Sequence, residues 1–257
     1  MIYIGTSGFS YDDWIGHFYP EGMRKPDMLR YYAERFKAIE VNFTYYRMPD
    51  ARTLAQMAAK TPPGFQFVVK AHSEMTHERS GATEPFAQFA AALQPLIAAG
   101  KFGCVLAQFP YSFKPDAQAA AYVRFLREQL ADLPVVVEFR NSQWVSNATF
   151  QLLGELGLGY CCVDEPKLRG LMPPVAVATA DPAYVRFHGR NAEHWFEHEQ
   201  AWQRYDYLYS EDELREWVPK VRQLAEQTSR TYVFFNNHYQ SKAAINASLF
   251  DQLLEEP

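Results

Sequence analysis

No stretch of the 257 residues approaches the ~18–20 consecutive apolar positions that a membrane span requires. Cysteine is scarce: Cys104, Cys161 and Cys162 are the three present, each within an apolar strand-like run, and no C-x-x-C pair exists. A zinc or dithiol motif therefore has no support, and buried reduced thiols are expected, with a nucleophilic Cys162 as a minor alternative. Positive charge is not in excess. Lys and Arg number 25 against 30 Asp and Glu, a formal net charge of −5, and the sequence pI is near 5.8. That balance disfavours a protein held to nucleic acid by nonspecific phosphate contacts. The spacing G-x-G-x-x-G of a dinucleotide loop is missing, as is the G-x-S-x-G of a hydrolase elbow; "GTSG" (5–8) fits neither. The opening "MIYIGTSGFS" has no basic segment ahead of an apolar run, so a cytoplasmic location is expected.

What is present is a well-packed chain, with 48 % hydrophobic, 21 % charged and 16 % aromatic residues. Short apolar runs fall at 2–5, 38–42, 65–71, 103–109, 134–140, 159–164, 183–189 and 231–236. Helix-like periodicity fills 27–37, 51–60, 84–98, 116–130, 146–155, 211–228 and 240–253. Asp116 starts one of these, and Ser210 with Glu213 forms a capping box at another. Eight strands alternating with helices predict a single α/β domain over 1–257, a (β/α)₈ TIM barrel, with an open doubly wound sheet as the alternative. The pattern is irregular after strand 6, where "EPKLRGLMPPVAVATADP" carries four prolines, and a long aromatic loop follows strand 7.

Side chains in a barrel strand alternate between the interior and the helix layer. Glu40 and Asn42 share one face in "AIEVN", opposite Ile39 and Val41. Lys70 pairs with His72, Glu138 with Arg140, and Arg186 with His188 in the same way, while Gln108 and Asp164 also end strands. At least six strands thus turn polar at their C-terminal ends, where barrel enzymes build their sites. "FFNNHY" (234–239) brings Asn236, Asn237 and His238 to that end of strand 8. Some of these charges neutralise one another, yet a mere plug is a poor reason for so many buried ions.

Glu40, Lys70, Glu138, His188 and His238 are the candidate acid–base groups. Ser7, Asn42, Tyr45, Gln108, Arg140, Arg186, Arg190, Asn236 and Asn237 are the candidate ligand-binding residues, the arginines as an anion clamp. No cofactor is expected. No ligand spacing argues for a metal, although Glu40, Glu138, Asp164, His188 and His238 leave a divalent ion open. "HWFEH" (194–198) fits H-x-x-E-H, but in an aromatic loop it reads as an accidental match.

"GTSGFSYDDW", "IEVNFTYYRMP", "FVVKAHSEMTH", "VVEFRNSQW", "YVRFHGRN", "RYDYLYS" and "YVFFNNHYQSKAAINA", in this order, resemble the YecE-like family, domain of unknown function 72. The resemblance spans the chain and implies a TIM barrel with no established activity. Its shared positions include Gly5, Ser7, Gly8, Trp14, Glu40, Asn42, Tyr45, Lys70, His77, Glu138, Arg140, Trp144, Arg186, His188, Gly189 and Asn236 to His238. Phe9 stands where the family commonly has Trp, and His72 where it often has Pro, which weakens His72 as a site residue.

The expected function is acid–base enzymology on a polar, anionic small molecule at the C-terminal mouth. The alternatives are a nucleic-acid-binding or -processing barrel, with aromatic loops stacking bases, and a non-catalytic small-ligand sensor.

Overall fold

The computed structural model describes residues 1–256. Eight parallel strands carry the fold: β1 (Ile2–Thr6), β2 (Ala38–Val41), β3 (Gln66–Lys70), β4 (Phe102–Gln108), β5 (Val135–Glu138), β6 (Gly159–Asp164), β7 (Ala183–Phe187) and β8 (Thr231–Phe235). They are hydrogen-bonded in the order β1-β8-β7-β6-β5-β4-β3-β2, the order of a (β/α)₈ barrel. The last seam, between β1 and β2, is nearly closed by a bridge from Ser7 to Glu40, with the Gly8 amide donating to the Glu40 carbonyl at 2.9 Å. Further down that seam the Tyr32 hydroxyl accepts from the Thr6 amide at 2.8 Å and donates to the Ala38 carbonyl at 3.0 Å. A phenol thus replaces direct pairing where the strands diverge, and satisfies backbone groups that burial would otherwise penalise.

The helices are α1 (Lys25–Ala33), α2 (Ala51–Ala59), α3 (Glu84–Ala98), α4 (Ala117–Gln129), α5 (Asn147–Glu155), α6 (Glu211–Arg215), α7 (Val218–Gln227) and α8 (Lys242–Glu255). Side-chain caps start several of them: Asp50 accepts from the Thr53 amide, Asp116 from Ala119 and Ser146 from Thr149. Ser210 and Glu213 form the expected capping box of α6. The single helix expected over 211–228 is two, with Pro219 in the first turn of α7, a position that tolerates proline. No helix lies between β6 and β7, where the prolines withhold backbone donors.

Hydrogen bonds between strands that are not neighbours show what fills the barrel. The Tyr232 hydroxyl of β8 reaches Gln66 of β3 at 3.2 Å, and Tyr184 of β7 donates to Glu40 of β2 at 2.6 Å. Alternate residues point outward: Phe187 packs on Trp217, on Phe235 and on Phe250 of α8. No helix is long and apolar enough to cross a membrane among the described residues.

Candidate functional site

The β7 alternation drives Arg186 into the barrel interior, where its guanidinium meets two carboxylates. Its Nε and Nη2 donate to the two oxygens of Glu40 at 2.9 and 2.6 Å, and Nη1 donates to Glu138 at 2.6 Å. Nη2 also reaches the Ser7 hydroxyl at 3.4 Å. The second Glu138 oxygen lies 3.1 Å from His188 Nε2, while the Asn236 amide faces His188 Nδ1 at 3.1 Å. An amide NH₂ donating to Nδ1 fixes the neutral tautomer with its proton on Nε2, pointing at Glu138. Arg140 Nε forms an ion pair with the same carboxylate at 2.5 Å.

Burial alone would raise the Glu138 carboxyl, yet Arg140, Arg186 and His188 hold it well below the usual carboxylate range. Burial, reinforced by Arg140, keeps the His188 imidazole far below its ordinary value. The pair is thus locked as carboxylate and neutral imidazole. Glu40, Glu138 and His188 are fully buried and form the floor of the mouth.

Above this floor lie two adjoining cavities of about 300 and 420 Å³ that share Gln108, Arg140 and Tyr205. The smaller is also lined by Asn42, Lys70, Arg186, Asn236 and His238, with Trp202 at its edge. The larger adds His77, Glu165, Trp195 and Arg204. Lys70 Nζ donates to Gln108 Oε1 at 2.9 Å and sits 4.7 Å from the centre of the Tyr45 ring. Burial and the nearby Arg186 lower its amine to about 7. Glu165, one residue past β6, accepts the Met172 amide at 2.7 Å on one oxygen, while the other is buried without a hydrogen-bond partner, 3.5 Å from Arg140. Burial raises its carboxyl to about 7 despite Arg140. Burial, then Lys70 and Arg79, lower His77 to about 4, so it stands as a neutral imidazole at pH 7.

Several expected residues are used elsewhere. Asp164 faces the helix layer and accepts from Tyr209, Trp217 and both ends of the Arg190 fork, at 2.7 to 2.9 Å. Arg190 also meets Glu213 and Glu216, so its donors are engaged away from both cavities. Asn237 donates to the Tyr207 carbonyl and to Asn246, anchoring the loop after β7. His238 reaches the smaller cavity but stacks on Tyr11 with centroids 4.7 Å apart, and burial lowers it. Cys162 exchanges contacts with the backbone of Val177, and burial pushes its thiol up to about 12, which makes it a poor nucleophile. His194 to His198 form no helix. Among the described residues no three carboxylate, imidazole or thiol groups converge as a metal would need.

A (β/α)₈ barrel whose ion network underlies an open, polar mouth at the C-terminal strand ends is the class of protein that fold and site define. The chain belongs to the family described as "Protein of unknown function DUF72", whose model matches residues 3–257. It is 33 % identical over 271 residues to the UPF0759 protein YunF of Bacillus subtilis (strain 168), covering 99 % of this chain and 95 % of that one. A DUF72 family protein of Thermotoga maritima, solved at 2.20 Å, superposes with a TM-score of 0.93 at 45 % identity over all of both chains. One from Enterococcus faecalis gives 0.88 at 26 % identity, over 100 % of this chain and 96 % of that one. The structure of SacUVDE shares the fold alone, with a TM-score of 0.52 at 10 % identity, over 90 % and 86 % of the two chains.

Proposed function

We propose that the mouth is the active site of an enzyme that moves protons on a small carboxylate- or phosphate-bearing molecule. The observation that carries this reading is a pair of titratable groups shifted toward neutrality from opposite directions. Lys70 is lowered to about 7 and Glu165 raised to about 7, and both line cavities that meet at Arg140. An amine and a carboxyl poised near the working pH can each give or take a proton at little cost, which is the requirement of general acid–base catalysis. Arg140 supplies the anion contact, since its guanidinium lines both cavities while Glu138 holds it in place at Nε. Glu40, Glu138, Arg186 and His188 act as the fixed floor that aligns these groups, so they are positioning residues in this scheme.

A nucleic-acid role has less support. The net charge is −5, and Arg186 and Arg190 are engaged by carboxylates.

The test is incubation of purified protein with a metabolite extract, followed by mass spectrometry, with wild type beside Lys70→Met and Glu165→Gln. Conversion of an anionic metabolite by wild type, lost in both variants, is the expected result. Retention without conversion would make the protein a sensor. If nothing is converted or retained, the assignment of the mouth as a site fails.

A further inference from the structure

We propose that Lys70 is a covalent nucleophile that forms an imine with the carbonyl carbon of a 2-oxo acid whose carboxylate rests on Arg140. This deepens the proposed function and rests on the same reading of the mouth.

Three features of the cavity support it. The first is how Lys70 is held. Among the described residues its amine makes one hydrogen bond, to Gln108 Oε1, and no carboxylate lies within ion-pair distance. Gln108 is itself oriented, because its NH₂ donates to the Phe109 carbonyl at 2.6 Å and so turns the amide oxygen toward Lys70. The opposite side of the amine is bounded by the Tyr45 ring. A lysine placed only for charge would be expected against a carboxylate, and Glu40 and Glu138 are instead engaged by Arg186. Partly buried and set near guanidinium groups, an amine lowered to about 7 carries in a sizeable fraction the free lone pair that carbonyl attack requires.

The second feature is Arg140. It shares the smaller cavity with Lys70, where Glu138 pins its Nε at 2.5 Å, and a guanidinium lining the cavity wall suits a carboxylate adjacent to the reacting carbon. The third is Glu165 on the far side of Arg140, where a carboxyl raised to about 7 still holds a proton at neutral pH.

The step balances with these groups. The Lys70 Nζ lone pair attacks the carbonyl carbon, and one amine proton passes to the oxygen to give the carbinolamine. That oxygen takes a second proton from Glu165, relayed by water where the two cavities meet at Gln108 and Arg140, and leaves as water, forming the C=N bond of a protonated imine and leaving Glu165 as carboxylate. Hydrolysis reverses each transfer.

Reductive trapping tests it on the full-length protein. Glyoxylate, the smallest 2-oxo acid, and acetaldehyde, its two-carbon counterpart without the carboxylate, are each incubated with sodium cyanoborohydride at pH 7. Hydride transfer to the imine carbon leaves a stable secondary amine, which peptide mass mapping locates. With glyoxylate, Lys70 is expected to label about tenfold or more faster than the exposed Lys37 and Lys114, which lie outside the cavities that Arg140 lines. Acetaldehyde should show a smaller preference, and Arg140→Met should remove the difference between the two probes. Wild type alone decides the matter if the variant fails to fold. Labelling of Lys70 no faster than of Lys37 and Lys114 overturns the imine, and an equal preference with both probes overturns the seat of the carboxylate on Arg140. The two readings fail separately. A metabolite screen that finds a converted anion while Lys70 stays unlabelled ends the imine alone. A screen that finds retention without conversion beside selective labelling ends the proposed turnover alone.

Discussion

Glu138 Oε2 lies 2.6 Å from Arg186 Nη1, with both side chains shut off from solvent, and the other Glu138 oxygen is turned to His188. A buried guanidinium shared between Glu40 and Glu138 leaves Glu40 without a counter-charge if it is lost, and Glu138 with Arg140 alone. Arg186→Met is therefore expected to destabilise the fold by about 3–5 kcal/mol. Arg186→Lys should recover little, because a point charge cannot span both carboxylates as the planar fork does. Urea denaturation measures both, and a loss under about 1 kcal/mol for Arg186→Met would show the ion cluster to be dispensable.

Glu165 gives a pH signature of its own. Its carboxyl is raised in the folded protein from an ordinary 4.5 to about 7. Between those values the folded chain keeps a proton that the unfolded chain has released. Its contribution to stability is thus complete below 4.5 and is lost as pH rises through 7. Glu165→Gln should flatten the stability curve between pH 4.5 and 7. The fall in stability on acidification below that window, which comes from carboxylates such as Glu138 whose value is depressed, should persist. Urea midpoints taken every half unit across this range provide the check, and an unchanged slope in the variant contradicts the raised value.

Much of the architecture was legible because period 2 and the polar strand ends agree. Counting by twos put Glu40, Lys70, Glu138 and Arg186 on one face, and they do share the interior side. Depth along the barrel axis was not legible. Whether a strand-end residue forms floor or lining depends on how the strands are staggered, which a single chain of letters does not carry. Hence Glu138 and His188 read like Lys70, although they lie beneath the cavity. At β6 the same alternation is present in the sequence. Cys161 faces Glu138 whereas Cys162 faces Val177, so the same alternation carries Glu165 inward and Asp164 out to Trp217. Arg190 shares parity with Arg186 and His188, but Gly189 at φ +90° turns the chain and breaks the alternation. The aromatic lining from Trp195 to Tyr205 belongs to a loop whose path no periodicity encodes.

Trp202 stacks on Tyr239 with ring centroids 4.0 Å apart and planes within 14°, joining the loop after β7 to the turn after β8 beside the smaller cavity. Trp202→Ala should cost only about 0.5–1.5 kcal/mol in global stability, the value of one partly exposed aromatic pair. Local opening is expected to increase much more, because the loop from 191 to 206 contains no α-helix or strand to hold it. Limited proteolysis should cut the variant within this loop several times faster than wild type. Equal cutting rates would mean that Trp195 and Arg204, with its Nε on the Trp195 carbonyl, are sufficient to close it.

The seam between β1 and β2 makes the sharpest demand on a single position. A Cβ at Gly5 would stand 2.1 Å from the Ala38 carbonyl oxygen and 2.8 Å from the Tyr32 hydroxyl that bridges the two strands. Neither can retreat, since the carbonyl is backbone and the hydroxyl holds Thr6 and Ala38 together. Gly5→Ala is expected to destabilise by more than about 4 kcal/mol, the range in which overpacking and broken buried hydrogen bonds coincide. Gly154, inside α5, offers the comparison. A Cβ there meets nothing closer than the Thr179 carbonyl at 3.6 Å, so Gly154→Ala should stabilise by about 0.5–1 kcal/mol through helix propensity. Thermal unfolding of the two variants side by side checks the pair. If both shift the midpoint alike, the closing of the barrel does not depend on a missing side chain at Gly5.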